Sequence, residues 1–121
     1  MKAKILIADD SAYMRSILKD LLLRNGYDVI GEAENGKEVL DIYGKLKPDV
    51  VALDIMMPEM SGLEVLEQMQ KKGIKVPVII LSNVMSAETR SLAEKYGVKD
   101  YIIKSDLTPS QVLEKIQKHL V

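Results

Sequence analysis

The chain contains no cysteine, no tryptophan and no phenylalanine. Without cysteine there is neither a disulfide framework nor a thiolate metal site. Five tyrosines are the only aromatic residues, so seven methionines take over part of the core filling. A dominant charge is missing too: 17 Lys and Arg against 18 Asp and Glu leave a formal net charge of −1. A surface that binds nucleic acid through phosphate attraction needs a basic patch, and charges mixed along the chain do not supply one. No apolar run approaches the roughly 20 residues of a bilayer-spanning helix. Met1-Lys-Ala-Lys4 leads directly into a strand, not a signal peptide. Repeats, low-complexity tracts and linker-like stretches are absent. What remains is 121 residues, 47% of them hydrophobic, expected as one cytoplasmic globular domain over 1–121.

Apolar patterning divides the chain into alternating strands and helices. Ile5-Leu-Ile-Ala8 fits a strand buried on both faces. Ser11 offers a cap, and Met14, Ile17, Leu18, Leu21 and Leu22 form the stripe of an amphipathic helix closed by Asn25-Gly26. Asp28–Ala33 reads as a shorter, more polar edge strand. Asn35 and Glu38 have capping-box spacing ahead of a second helix, with Val39, Leu40, Tyr43 and Leu46 inward and Lys47-Pro48 as its stop. Val50–Leu53 is the third strand, and Ser61 and Glu64 box the start of a third helix with Leu63, Leu66 and Met69 inward. Val76–Leu81 is the fourth strand, directly followed by Ser82. The fourth helix spans Ser86–Tyr96, with a thin stripe of Leu92, Ala93 and Tyr96. Tyr101–Ile103 is the fifth strand. Thr108, Pro109 and Gln111 start the last helix, with Val112, Leu113, Ile116 and Leu120 inward. His119 falls near its end, where a cation suits the negative pole of the helix. This alternation predicts a doubly wound parallel α/β sheet of flavodoxin-like strand order 2-1-3-4-5 with five helices.

Four of the five apolar runs end on a chemically capable residue: Asp9-Asp10, Asp54, Ser82 and Lys104. Parallel strands carry these ends to one rim of the sheet, where such folds bind ligands. Carboxylates brought together there repel and raise one another's pKa. A divalent cation and one ammonium group resolve that conflict, and an oxygen-only donor set with no nearby His or Cys suits Mg²⁺. The expected chemistry is magnesium-assisted phosphoryl transfer. Asp54, alone on a central strand ahead of Pro58 and Gly62, is the nucleophile that forms an acyl phosphate. Asp10, with Asp9 beside it, holds the metal, although one of the two could instead cap the first helix. Lys104 pairs with one phosphoryl oxygen and the Ser82 hydroxyl with another. Gly31–Lys37 nearly matches a phosphate-binding loop. Glu38 stands where a metal-binding hydroxyl belongs, however, and two further Glu would repel phosphate, so that reading is rejected.

Taken together, Asp9-Asp10-Ser11, Asp54-Ile-Met-Met-Pro-Glu-Met-Ser-Gly62, Ser82 and Tyr101-Ile-Ile-Lys104 resemble the receiver domains of two-component response regulators, the CheY-like phosphoacceptor family. The resemblance covers the whole chain. It implies phosphoryl transfer from a sensor histidine kinase to Asp54, with Mg²⁺ (or Mn²⁺ in its place) held by Asp10, Asp54 and the backbone carbonyl of Met56, assisted by Asp9. It also implies a switch in which the Ser82 hydroxyl is drawn inward and Tyr101 rotates after it. The face built by the fourth helix, fifth strand and fifth helix would then be remodelled for a downstream partner. No nucleic acid or membrane enters directly. The expected state is a monomer, with dimerisation on phosphorylation left open.

Two departures from the family pattern carry their own expectations. Family members usually have a cis-linked proline after the lysine, and here Ser105 stands there. A cis bond without proline costs about 2.5–4 kcal/mol, so the Lys104–Ser105 bond is expected to be trans, with an altered loop behind it. Met56 and Val84, two residues beyond Asp54 and Ser82, are apolar where polar residues can orient the hydrolytic water. Slow self-dephosphorylation is the expectation. The competing readings are a Mg²⁺-dependent phosphohydrolase with an aspartyl-phosphate intermediate, a receiver excised from a longer regulator, and a phosphate-independent binding module. The first would need a second acid soon after Asp54, and Ile55 and Met56 follow instead.

Overall fold

The structure is a computed structural model that describes residues 3–83 and 86–120. Five parallel strands, β1 (Lys4–Ala8), β2 (Asp28–Ala33), β3 (Val50–Leu53), β4 (Val78–Ser82) and β5 (Asp100–Ile103), pair in the order β2-β1-β3-β4-β5. Helices α1 (Ala12–Arg24), α2 (Gly36–Leu46), α3 (Gly62–Lys71), α4 (Ala87–Lys95) and α5 (Pro109–Gln117) fill the crossovers and the end of the chain. This is the flavodoxin-like, doubly wound fold expected from the alternation.

Strand periodicity sorts the core into two layers, because successive side chains point to opposite faces. Leu6, Ala8, Val51, Leu53, Val78 and Ile80 pack towards α2, α3 and α4, meeting Val39, Val65, Leu66, Met69 and Ala93. Ile5, Ile7, Val50, Ala52, Ile79 and Leu81 pack towards α1 and α5, meeting Leu18, Leu22, Val112, Leu113 and Ile116. Each fully buried Leu or Ile contributes about 1.5–3 kcal/mol of transfer free energy. That burial fixes which strand ends stand at the rim.

Several local expectations are corrected. The edge strand β2 is six residues long and is not shorter than its neighbours. Its register shifts by one between Ile5 and Leu6 of β1. At Gly31 a side chain would bring its Cβ to 2.9 Å from Ile42 Cγ2, so Gly31 lets α2 seat Ile42 on the sheet. Ile42 thus packs on the core, while Leu46, expected inward, is 48% exposed at the end of the helix. In the same helix Asn35 caps through Glu38 N–H, but Glu38 Oε1 accepts from Glu34 N–H at 2.8 Å, one residue earlier than a capping box requires. Val65 is fully buried on α3; of the stripe expected on α4, Ala93 is buried and Tyr96, at the C-cap, packs against the core, while Leu92 is exposed. β4 begins at Val78, after Pro77, and Ser82 is its last residue. The capping boxes of Ser61 with Glu64 and of Thr108 with Gln111 are both formed. His119 lies beyond α5, and its Nε2 is 3.0 Å from Asp100 Oδ2.

Candidate functional site

The strand ends meet in an open cleft of about 230 Å³, lined by Asp9, Asp10, Ser11, Met14, Asp54, Met56, Asn83 and Lys104. Asp9 and Asp10 come from the end of β1, Asp54 from the end of β3, Asn83 from the end of β4, and Lys104 from the end of β5. Asp9 and Asp54 are buried whereas Asp10 is exposed. One carboxylate oxygen from each of the three lies within 4.8 Å of the other two.

Asp9 is fixed from both sides. Its Oδ1 accepts the Ser11 N–H at 2.9 Å, and its Oδ2 accepts Lys104 Nζ at 2.6 Å. Arg15 Nη1 donates to the Asp9 backbone carbonyl at 2.6 Å. Ser11 itself is the N-cap of α1, accepting from Met14 N–H, so neither aspartate is spent on capping. Asp54 stands on the pairing of β1 with β3, its N–H donating to the Ala8 carbonyl at 2.9 Å. Its Oδ1 accepts the Met56 N–H at 3.2 Å, and its Oδ2 lies 3.4 Å from Lys104 Nζ. Burial holds the Asp54 carboxyl above its ordinary value. Lys104 pulls the other way, the Asp9 charge adds to the rise, and the Met56 N–H again favours the ionised form.

The turn after Asp54 is held from several directions. Gly62 N–H donates to the Ile55 carbonyl at 2.9 Å, and Gly36 N–H at the start of α2 donates to the Met60 carbonyl at 3.0 Å. Glu59 takes the left-handed conformation at φ 65°. A side chain at Gly62 would drive its Cβ into the Asp54 carbonyl oxygen and to 2.9 Å from Ile55 Cα. Gly62 is therefore needed for close backbone approach, which keeps the Asp54 end of β3 against the start of α3.

Ser82 is wholly buried and pairs in register with Ile103, one residue before Lys104. The residue lining the cleft just beyond β4 is Asn83, which the sequence patterning does not flag. The rule that flagged the other strand ends would have found it if extended one residue past Ser82. Met14, expected on the apolar stripe of α1, also lines the cleft. Met56 lines it as well, but the residue is 67% exposed, so its side chain offers less of an apolar lid than expected. Val84 lies outside the described residues. Tyr101 is half-buried, its hydroxyl donates to the Arg90 carbonyl, and the Arg90 guanidinium carbon sits 5.0 Å from the ring centroid. No cis peptide occurs among the described residues, so the Lys104–Ser105 bond is trans, as expected, and Lys104–Asp106 forms a short 3₁₀ turn. Gly31–Lys37, rejected as a phosphate loop, spans the end of β2 and the start of α2, and its Glu32 pairs with Arg15 and Lys19.

Three converging carboxylates against one ammonium leave an excess of negative charge in hard oxygen donors. That donor set fits Mg²⁺ better than a metal preferring nitrogen or sulfur.

Comparison with known proteins places this geometry among relatives. The profile of the response regulator receiver domain family matches residues 5–117. The chain is 41% identical over 118 residues to the chemotaxis protein CheY of Thermotoga maritima, covering 98% of each. It is 38% identical over 120 residues to the chemotaxis protein CheY of Bacillus subtilis, covering 99% of each. Among solved structures, the CheX–CheY complex with BeF3 and Mg²⁺ from Borrelia burgdorferi contains a chain that superposes with a TM-score of 0.89. That chain is 27% identical, with 98% of this chain and 90% of that one covered.

Proposed function

From the premise that the chain belongs to the response regulator receiver family, we propose that it accepts a phosphoryl group on Asp54 from the phosphohistidine of a sensor kinase. The observation that carries the reading is the meeting of the Asp9, Asp10 and Asp54 carboxylates with Lys104 in one cleft. In the transfer, an Asp54 carboxylate oxygen attacks phosphorus and the P–N bond to the donor imidazole breaks, its electron pair returning to that nitrogen. Lys104 needs no proton transfer in this step. It neutralises a phosphoryl oxygen as charge approaches Asp54, and the Met56 N–H holds the carboxylate through its Oδ1. Asp10, Asp54 and the Met56 carbonyl, with Asp9 assisting, would hold Mg²⁺, which supplies charge neutralisation on the phosphoryl oxygens. In this reading the chain is a switch that catalyses its own phosphorylation, not an enzyme turning over a substrate pool.

The output is carried by Ser82 and Tyr101. Ser82 sits at the buried end of β4, in register with β5, so a hydroxyl drawn towards the phosphoryl group would disturb the packing next to Tyr101. Tyr101 is tied to α4 through Arg90. A change at one end of β5 is thereby coupled to the α4, β5 and α5 face, where a downstream protein would bind. The CheY relatives favour a chemotaxis pathway, and the CheX complex of the Borrelia protein supports a partner of that kind.

The test is incubation with Mg²⁺ and acetyl phosphate, followed by intact-mass measurement. One added phosphoryl group, absent in Asp54→Asn, is expected. An unchanged adduct in the variant would place the nucleophile elsewhere.

A further inference from the structure

At the opposite end of the sheet from the acidic cleft, two adjoining cavities of about 210 and 360 Å³ open between the ends of α3 and α4. They share Ile74, Lys75, Val76, Tyr96 and Gly97, and the first has an apolar floor of Leu66, Met69 and Val78. Exposed Lys75, before β4, lines both cavities and exposed Lys99, before β5, lines the second, while exposed Lys72 and Lys95 fall at the adjoining ends of α3 and α4. Among the described residues none of these four has a carboxylate within ion-pair distance. Nearby acids are engaged elsewhere: Glu67 with Lys71 at 3.0 Å, Glu94 with Arg90 at 3.6 Å, and Asp100 with His119 at 3.0 Å. Lys72 and Lys95 complement the carbonyl-rich ends of α3 and α4. Lys75 and Lys99 lie outside any helix and line the second cavity, so helix polarity does not account for them.

We propose that this lysine-rimmed cleft docks an acidic segment of a partner protein, with a leucine-like side chain in the apolar pocket and carboxylates meeting Lys75 and Lys99. Charge complementarity selects this occupant. A basic or neutral segment would leave the lysines facing one another, whereas an acidic one supplies the missing counter-charges, and the floor rewards an apolar anchor. The cleft lies at the starts of β4 and β5 and the phosphoacceptor cleft at the strand ends, so a bound segment leaves Asp54 open. The inference does not depend on phosphorylation, and either reading can fail alone.

The experiment is a ¹⁵N NMR titration of the unphosphorylated chain with a short synthetic peptide carrying two leucines one helical turn apart among glutamates. Saturable shifts centred on the amides of Ile74, Val76, Gly97 and Lys99 are expected. Reversing both charges, Lys75→Glu with Lys99→Glu, should weaken binding by about ten-fold or more. If that variant does not fold, Lys75→Gln with Lys99→Gln should still weaken binding at an unchanged melting temperature. No saturable shift, shifts centred on another face, or equal binding of a peptide with serines for the leucines would overturn the proposal. So would concentration-dependent shifts at these amides without peptide, which would assign the cleft to a second copy of the chain.

Discussion

Lys104 is held more closely by Asp9 than by Asp54: its Nζ lies 2.6 Å from Asp9 Oδ2 and 3.4 Å from Asp54 Oδ2. The lysine side chain is 6% exposed and that of Asp9 2%, so the contact is a buried ion pair. The closer pairing leaves Asp54 the less neutralised of the two carboxylates, while Lys104 stays within reach of an oxygen arriving there.

Removing one partner of a buried pair strands the other charge. Lys104→Ala should therefore destabilise the metal-free protein by about 3–5 kcal/mol. Adding Asp9→Asn to that variant should recover part of the loss, because the stranded anion disappears. Urea unfolding of the wild type, both single variants and the double variant measures the coupling. Strict additivity of the two changes would mean the contact carries no interaction energy.

Asp54 works against stability in the metal-free protein. Its folded pKa is raised above its ordinary 3.8, first by burial, so between those two values the folded state binds more protons than the unfolded one. Stability should fall as pH rises through that window, stay reduced above it, and recover as the carboxyl protonates. Asp54→Asn removes this segment of the pH profile and should raise the metal-free melting temperature at neutral pH. Mg²⁺ should then stabilise the wild type more than the variant. A variant that melts lower than wild type at neutral pH without metal would contradict this.

The strand ends were legible because two rules acted together. Apolar runs of three to six residues marked the strands, and parallel pairing placed Asp9, Asp54 and Lys104 at one rim whatever the details of the helices. Finer features depend on contacts between distant segments. Nothing in the heptad-like spacing of α2 says that Gly31 opens a seat for Ile42 and leaves Leu46 in solvent. The closer pairing of Lys104 with Asp9 than with Asp54, beside the Ser11 N–H bond to the other Asp9 oxygen, is set by tertiary geometry, as is the Glu38 side chain reaching past Asn35 to Glu34 N–H. Asn83 escaped notice because the pattern was read as stopping on Ser82, one residue short of the cleft wall.

Gly62→Ala should be among the most damaging small changes to the site. The added Cβ meets the Asp54 carbonyl and the Ile55 Cα, which are backbone atoms that cannot rotate away. Overpacking of this kind costs about 1–3 kcal/mol and would push α3 off the Asp54 turn. Denaturant unfolding and the initial rate of acetyl-phosphate labelling should both fall. Wild-type stability in the variant would show that the turn has room to adjust.

Tyr101→Phe keeps the ring under Arg90 but removes the hydroxyl that donates to the Arg90 carbonyl. A loss of about 0.5–1.5 kcal/mol is expected, concentrated in faster hydrogen exchange of α4. Arg90→Ala makes the converse change, keeping the backbone acceptor and removing the cation. Both should loosen α4 while leaving the labelling of Asp54 close to wild type. Unchanged exchange across Ala87–Lys95 in both variants would break the link drawn between Tyr101 and α4.

Met56 offers the sharpest test of how long the phosphoryl group lasts. Its backbone N–H fixes Asp54 Oδ1, while the residue stands 67% exposed at the edge of the cleft. Replacing the side chain leaves the N–H in place, so Met56→Asn separates the two roles. An amide there can hold a water near the acyl phosphate, which methionine cannot. If one net hydrogen bond of about 1 kcal/mol is gained in the hydrolytic transition state, phosphoryl loss should quicken about five-fold. The decay of phosphorylated protein, followed by intact mass after the donor is removed, reads the rate directly. Met56→Leu, similar in bulk and still apolar, should decay like wild type. Equal acceleration in Met56→Leu and Met56→Asn would show that the loss of methionine packing, and not the polar group, sets the lifetime.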